Sequence, residues 1–154
     1  YTSRMDSELL LKQHQRLLVG RWLTDLANTS AFVFSELKDL NWAGFYLYED
    51  GVLALGPFQG KPACTTIALD RGVCGQAARE RKVLVVPDVH AFKGHIVCDP
   101  ASRSEIVVPL ISKEGGLLGV LDVDSPTPGR FTEVEKDFLT RVAAQLLGSR
   151  PPKT

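Results

Sequence analysis

The sequence predicts an α+β domain, a six-stranded and largely antiparallel sheet with helices packed against it. Three observations carry this prediction. Residues 7–39 place apolar side chains at helical spacing, with a break at Gly20. Six short aliphatic and aromatic runs follow, most of them separated by Gly, Pro or acidic turn residues. The chain then closes on a stretch opened by Thr132-Glu133-Val134-Glu135, the Thr-x-x-Glu pattern of a capping box.

In the first helix Leu9, Leu10, Gln13, Leu17 and Leu18 form the expected apolar face; in the second, Trp22, Leu23, Leu26, Phe32, Val33 and Leu37 do. Both helices are expected to cover the sheet. Trp42 to Tyr48 is the first strand, and Glu49-Asp50-Gly51 turns it into a second, Val52 to Gly56. Pro57 and Gly60-Lys61-Pro62 bend the chain toward a third strand, Cys64 to Leu69. A short helix is expected from about Gly72 to Arg81, and a fourth strand over 83–86. The fifth strand, Glu105 to Ile111, contains Pro109, which calls for an edge or a bulge. Lys113-Glu114-Gly115-Gly116 is a hairpin turn into the sixth strand, Leu117 to Asp124, and the last helix runs to about Gly148. With no internal repeat or linker, 1–154 is expected to be a single domain. Its core lies at about 20–148, with 1–6 and 149–154 as tails.

The composition is that of an ordinary globular domain, 44% hydrophobic and 23% charged. Lys+Arg and Asp+Glu are both 18, so the basic excess of a nucleic-acid binder is missing, as is an electrostatic membrane anchor. No apolar run approaches the ~20 residues of a membrane span. Without a signal-peptide pattern, a reducing cytoplasm is the expected setting. There an odd set of three cysteines, Cys64, Cys74 and Cys98, argues for redox chemistry over structural bridges. His90, His95 and Cys98 could in principle share a metal, but the spacing of zinc ligands is missing. No metal and no cofactor are expected.

Cys98 falls in an irregular stretch bracketed by Gly94 and Pro100 between two strands. That suits a reactive thiol, although a free cysteine is commonly a small buried hydrophobe. Cys74, in the first turn of the predicted helix, has the better electrostatic reason to be a thiolate. Cys64 has no evident activation. Asp122 and Asp124 share one face of the sixth strand, roughly 7 Å apart along it; they either line a site or mark a strand end entering solvent. Glu105, at a strand boundary, would complete a carboxylate cluster in which crowding keeps one acid protonated, or else is a surface residue. Trp42 and Tyr46, four apart on one strand face, could wall an apolar slot or pack in the core. The residues by themselves give a redox-active thiol domain with an acid-lined pocket and no named substrate.

Six segments together go further. Asn41-Trp42-Ala43-Gly44-Phe45-Tyr46, Leu55-Gly56-Pro57-Phe58-Gln59-Gly60, Gly72-Val73-Cys74-Gly75, His95-Ile96-Val97-Cys98-Asp99, Ser104-Glu105-Ile106-Val107 and Gly119-Val120-Leu121-Asp122-Val123-Asp124-Ser125 resemble, in order, the motifs of the free methionine-(R)-sulfoxide reductases, which are GAF-fold enzymes. The likeness extends from about Leu26 to Leu147, with the three thiols in register. It implies a GAF-like domain in which Cys98 is the nucleophile, Cys64 the resolving thiol and Cys74 an auxiliary thiol. It implies that Glu105, Asp122 and Asp124 bind the polar ends of the substrate and that Trp42 and Tyr46 hold its methyl end; the expected chemistry has Glu105 or Asp124 protonate the sulfoxide oxygen and Asp122 hold the ammonium. It further implies free methionine sulfoxide as substrate, an intramolecular disulfide regenerated by thioredoxin, and a homodimer formed through the helical side. The competing expectation is a GAF domain that senses a small molecule without turnover.

Overall fold

The computed structural model describes residues 5–151; the outer parts of the two expected tails, 1–4 and 152–154, lie outside the described residues. In chain order the elements are α1 (Ser7–Leu17), α2 (Trp22–Glu36), β1 (Trp42–Glu49), β2 (Val52–Gly60), β3 (Thr66–Ala68), α3 (Gly72–Glu80), β4 (Leu84–Val86), β5 (Ser104–Ile111), β6 (Leu117–Ser125) and α4 (Glu133–Ser149). A single 3-10 turn, Val89–Ala91, interrupts the long connection between β4 and β5. The six strands form one sheet in the order β3-β2-β1-β6-β5-β4, antiparallel at every pair.

Strand alternation divides the sheet into two faces with different tasks. Ala43 and Phe45 of β1, Ile106 and Val108 of β5, and Leu121 and Val123 of β6 point to the face covered by α1, α2 and α4. There they meet Leu26, Val33, Phe138, Leu139, Val142 and Leu146, all fully buried. Each such side chain contributes roughly 1.5–3 kcal/mol through burial, so this face holds the fold together. The intervening residues, Trp42, Tyr46, Val107 and Val120, point the other way, against Val73, Cys74 and Ala77 of α3.

Local chemistry sets the ends of the elements. Asp6 accepts from the Leu9 amide and opens α1. The expected capping box of α4 is formed: Thr132 Oγ1 accepts from the Val134 amide, and the Glu135 carboxylate accepts from the Thr132 amide at 2.7 Å. Asp50 and Gly51 take φ values of 51° and 82°, which suits a two-residue hairpin turn whose twist matches its strands.

Four expectations are corrected. β2 does not stop at Gly56 but continues to Gly60 through Pro57. The β1–β2 register shifts between Gly44 and Tyr46, so Gly56 and Pro57 occupy a bulge where no ladder amide is required. β3 is shorter than Cys64–Leu69 because it pairs only along Val52–Ala54, which leaves Cys64 outside the strand. The buried residues of α1 are Leu11 and His14, whereas Leu9 and Leu17 are exposed. Reading leucines alone missed His14, whose two ring nitrogens are hydrogen-bonded to Gln145 Oε1 at 2.7 Å and Thr29 Oγ1 at 2.8 Å. In α2, Leu23 is likewise exposed. Pro109 lies where expected for a local edge, because β4 pairs with β5 only over Glu105–Val107.

Candidate active site

The face opposite the helical core builds the site by register. Asp124 of β6 stands between Trp42 of β1 and Glu105 of β5, and Asp122 stands between Gly44 and Val107. A Cβ at Gly44 would lie 2.3 Å from Phe58 Cβ, so glycine there lets β2 close on β1. Phe58 can then stack on Trp42 at 5.2 Å between centroids, with Tyr46 on Trp42 at 5.8 Å. Trp42 and Tyr46 wall one side of a pocket of about 510 Å³, counting the part open to solvent. Cys74, Cys98, Glu105, Asp122 and Asp124 all line it.

The three acids are buried, at 7%, 5% and 8% exposure for Glu105, Asp122 and Asp124. Among the described residues no Lys or Arg lines the pocket. Burial first, then the neighbouring carboxylates, push the Asp122 and Asp124 carboxyls well above the ordinary aspartate range. The three carboxyls are close enough that a charge on one raises the cost of ionising the next. Asp122 Oδ1 is buried with no hydrogen-bond partner. Burial, with Asp122 next, also holds the Tyr46 phenol far above its usual range, so it remains a hydroxyl.

Cys98 Sγ is bonded to Cys64 Sγ, with the Cα atoms 5.4 Å apart. The bridge ties the segment before β3 to the β4–β5 loop. Both ends of it are pinned. Tyr46 O–H donates to the Cys64 carbonyl at 3.0 Å, and Trp42 Nε1–H donates to the Lys61 carbonyl at 3.2 Å. On the other side, Asn41 Nδ2 donates to Asp99 Oδ2 at 3.0 Å and to Ser102 Oγ at 2.9 Å. The aromatic pair therefore walls the pocket with its rings and fixes the Cys64 segment with its polar tips.

Cys74 is the free thiol, 4% exposed, with Sγ–H directed at Glu105 Oε2, 3.9 Å away. The expectation that its helix-terminal position favours a thiolate is overturned. Burial, then Asp122, Glu105 and Asp124, push this thiol well above its usual range. Desolvation beside three acids outweighs the terminus of a nine-residue helix. The His90/His95/Cys98 grouping is not assembled either, since His90 is exposed and only the other two reach the pocket.

Comparison with known proteins agrees with this geometry. A GAF domain model matches residues 23–148. The free methionine-R-sulfoxide reductase of Escherichia coli (strain K12) is 54% identical over 139 residues, covering 89% of this chain and 84% of that protein. Its namesake from Saccharomyces cerevisiae is 42% identical over 156 residues, covering 93% and 87%. The chain belongs to the free methionine-R-sulfoxide reductases. Among solved structures, the free methionine-R-sulfoxide reductase from Neisseria meningitidis in complex with its substrate superposes with a TM-score of 0.89. It is 39% identical, covering 97% of this chain and 92% of that one. This member of the family is thus a GAF-domain oxidoreductase, and no helix among its described residues is long and apolar enough to cross a membrane.

Sequence reasoning on this reductase missed Asn41, Asp99, Ser102 and Ile96. Ile96, Asp99 and Ser102 line the pocket, while Asn41 holds its loop. One signal was present: Asp99 followed by Pro100-Ala101 is Asx-turn chemistry, and Asp99 Oδ1 accepts from the Ala101 amide at 2.9 Å. The partners of Asn41 are 58 and 61 residues away, beyond the reach of any periodicity.

Proposed function

We propose that this chain reduces free methionine-(R)-sulfoxide to methionine, with Cys98 as nucleophile and Cys64 as resolving thiol. The observation that carries the reading is the Cys64–Cys98 bond at the edge of a pocket whose floor holds three buried acids. In the reduced enzyme the Cys98 thiolate attacks the sulfoxide sulfur. A protonated member of the trio, Asp124 or Glu105, delivers a proton to the sulfoxide oxygen, which is otherwise a poor leaving group. The oxygen passes to Cys98 as a sulfenic acid, the substrate sulfur gains the electron pair, and methionine leaves. The Cys64 thiol then displaces water from Cys98 Sγ to form the disulfide. Thioredoxin, as external dithiol, reduces it by exchange and is itself oxidised.

Binding follows from the same residues. The unpartnered Asp122 Oδ1 suits an ammonium group, whose charge would favour the ionised carboxylate on arrival. A peptide-bound residue brings an amide instead and leaves these acids uncompensated, which selects the free amino acid. Trp42 and Tyr46 hold the methyl end against their ring faces. Cys74, protonated and buried, is an auxiliary thiol. The proposal includes a homodimer formed through the helical side and a cytoplasmic setting.

The test is release of methionine from racemic free sulfoxide with dithiothreitol. Cys98→Ser abolishes it, and half of the racemate is left unconsumed by the unaltered enzyme. Equal activity in Cys98→Ser would remove the thiol mechanism. Binding without release in the unaltered chain would mark the pocket as a sensor.

A further inference from the structure

We propose that the pocket floor is also a binding site for a zinc-type divalent cation, held by Cys74 Sγ and one carboxylate oxygen each from Glu105 and Asp122. The three donor atoms lie within 4.8 Å of one another, and all three residues are buried. A zinc ion lies roughly 2.3 Å from sulfur and 2.1 Å from oxygen, which sets two tetrahedral ligands roughly 3.6 Å apart. Cys74 Sγ and Glu105 Oε2 are already 3.9 Å apart, so rotamer adjustments of a few tenths of an ångström close that edge.

The second indication of a ligand is independent of the clustering. Asp122 lines the pocket, and its Oδ1 is buried without a hydrogen-bond partner, a condition that costs about 1–3 kcal/mol unless something arrives to accept the lone pairs. No Lys or Arg lines the pocket among the described residues. One sulfur and two oxygens form a borderline donor set that suits zinc better than calcium or magnesium. All three residues line the pocket, so a fourth, exchangeable ligand would come from the cavity. On binding, the ion replaces the Cys74 thiol proton, which is released to solvent, and a metal–sulfur bond forms with no change in oxidation state. Since the ion and an incoming ammonium both require Asp122, zinc would exclude an amino-acid substrate.

The experiment uses the oxidised protein, in which Cys64 and Cys98 are bonded and Cys74 is the free thiol. Titration with Co²⁺ near neutral pH is followed by absorbance in the near ultraviolet. The expected result is a thiolate-to-cobalt charge-transfer band that Zn²⁺ abolishes by displacement. Cys74→Ala removes the band, and Asp122→Asn weakens cobalt binding roughly 100-fold, since loss of even an outer partner of a ligand costs about 10- to 100-fold. A wild-type titration without the band overturns the proposal, whatever the variants do. So does a band that survives in Cys74→Ala. No sulfoxide takes part in the readout, so its failure leaves the reductase reading untouched.

Discussion

Replacing Asp122 with Asn keeps the shape of the side chain and removes its charge. A hydrogen bond to a charged group contributes about 1.5–3 kcal/mol net. At about 1.36 kcal/mol per tenfold, that range spans roughly 10- to 150-fold in the KM for free methionine sulfoxide. The structure favours the lower half of the range. Glu105 and Asp124 remain in the same pocket and still offer negative charge to the ammonium. The kcat should change little, because Asp122 is assigned to the ammonium and not to the reacting oxygen. The assay is initial rate against substrate concentration with dithiothreitol, run in parallel on free and N-acetylated methionine sulfoxide. The N-acetyl compound lacks the ammonium, so the unaltered enzyme should discriminate strongly between the two and Asp122→Asn weakly. An unchanged KM for the free amino acid, or an equal loss on both compounds, would refute the assignment.

Asp124→Asn tests the proton stored in the trio. Its folded-state pKa is raised above the ordinary 3.8, so the folded state binds more protons than the unfolded one above that value, and stability falls as pH rises from there through the raised pKa. The variant should therefore lose part of this slope and gain thermal stability relative to wild type at pH 8 more than at pH 5. A gap independent of pH between the two melting curves would count against a raised Asp124. In Gly44→Ala the new methyl meets Phe58 Cβ at 2.3 Å and Pro57 O at 2.8 Å, an overpacking expected to cost about 1–3 kcal/mol. At roughly 2–4 °C per kcal/mol for a chain of this size, calorimetry should resolve it, together with a higher KM as the Phe58–Trp42 stack loosens. Thr132→Ala removes the cap of α4 and should cost about 1 kcal/mol in urea unfolding without altering turnover.

The order of elements was legible because apolar periodicity and turn residues report what each segment must bury. The boundaries were less so. β2 outran Pro57 because a bulge, a property of the pair and not of the strand, absorbed the missing amide. α1 hid its inner face because His14, polar in isolation, is satisfied by Gln145 and Thr29 from two other helices. In the pocket, Asp122 and Asp124 could be placed on one face by counting in twos. That Glu105 and Trp42 flank Asp124 depends on register across three strands. The preference for Cys74 as a thiolate failed for a related reason. A helix terminus can be read from sequence, but burial and neighbouring acids emerge only when α3 docks against β5 and β6. The Asn41 clamp on the Cys98 loop carried no local signature at all.

The alternation along β6 also constrains how this sheet can assemble. Leu121 and Val123 face the helices while Asp122 and Asp124 face the pocket. A slip of one residue in its pairing would drive both aspartates into the helical core and expose the aliphatic pair. Burying two carboxylates among leucines and phenylalanines is prohibitive, whereas a strand of uniform hydrophobicity would tolerate the shift. The residues that would handle substrate thus also serve as a folding checksum, rejecting mispaired sheets before any ligand is present.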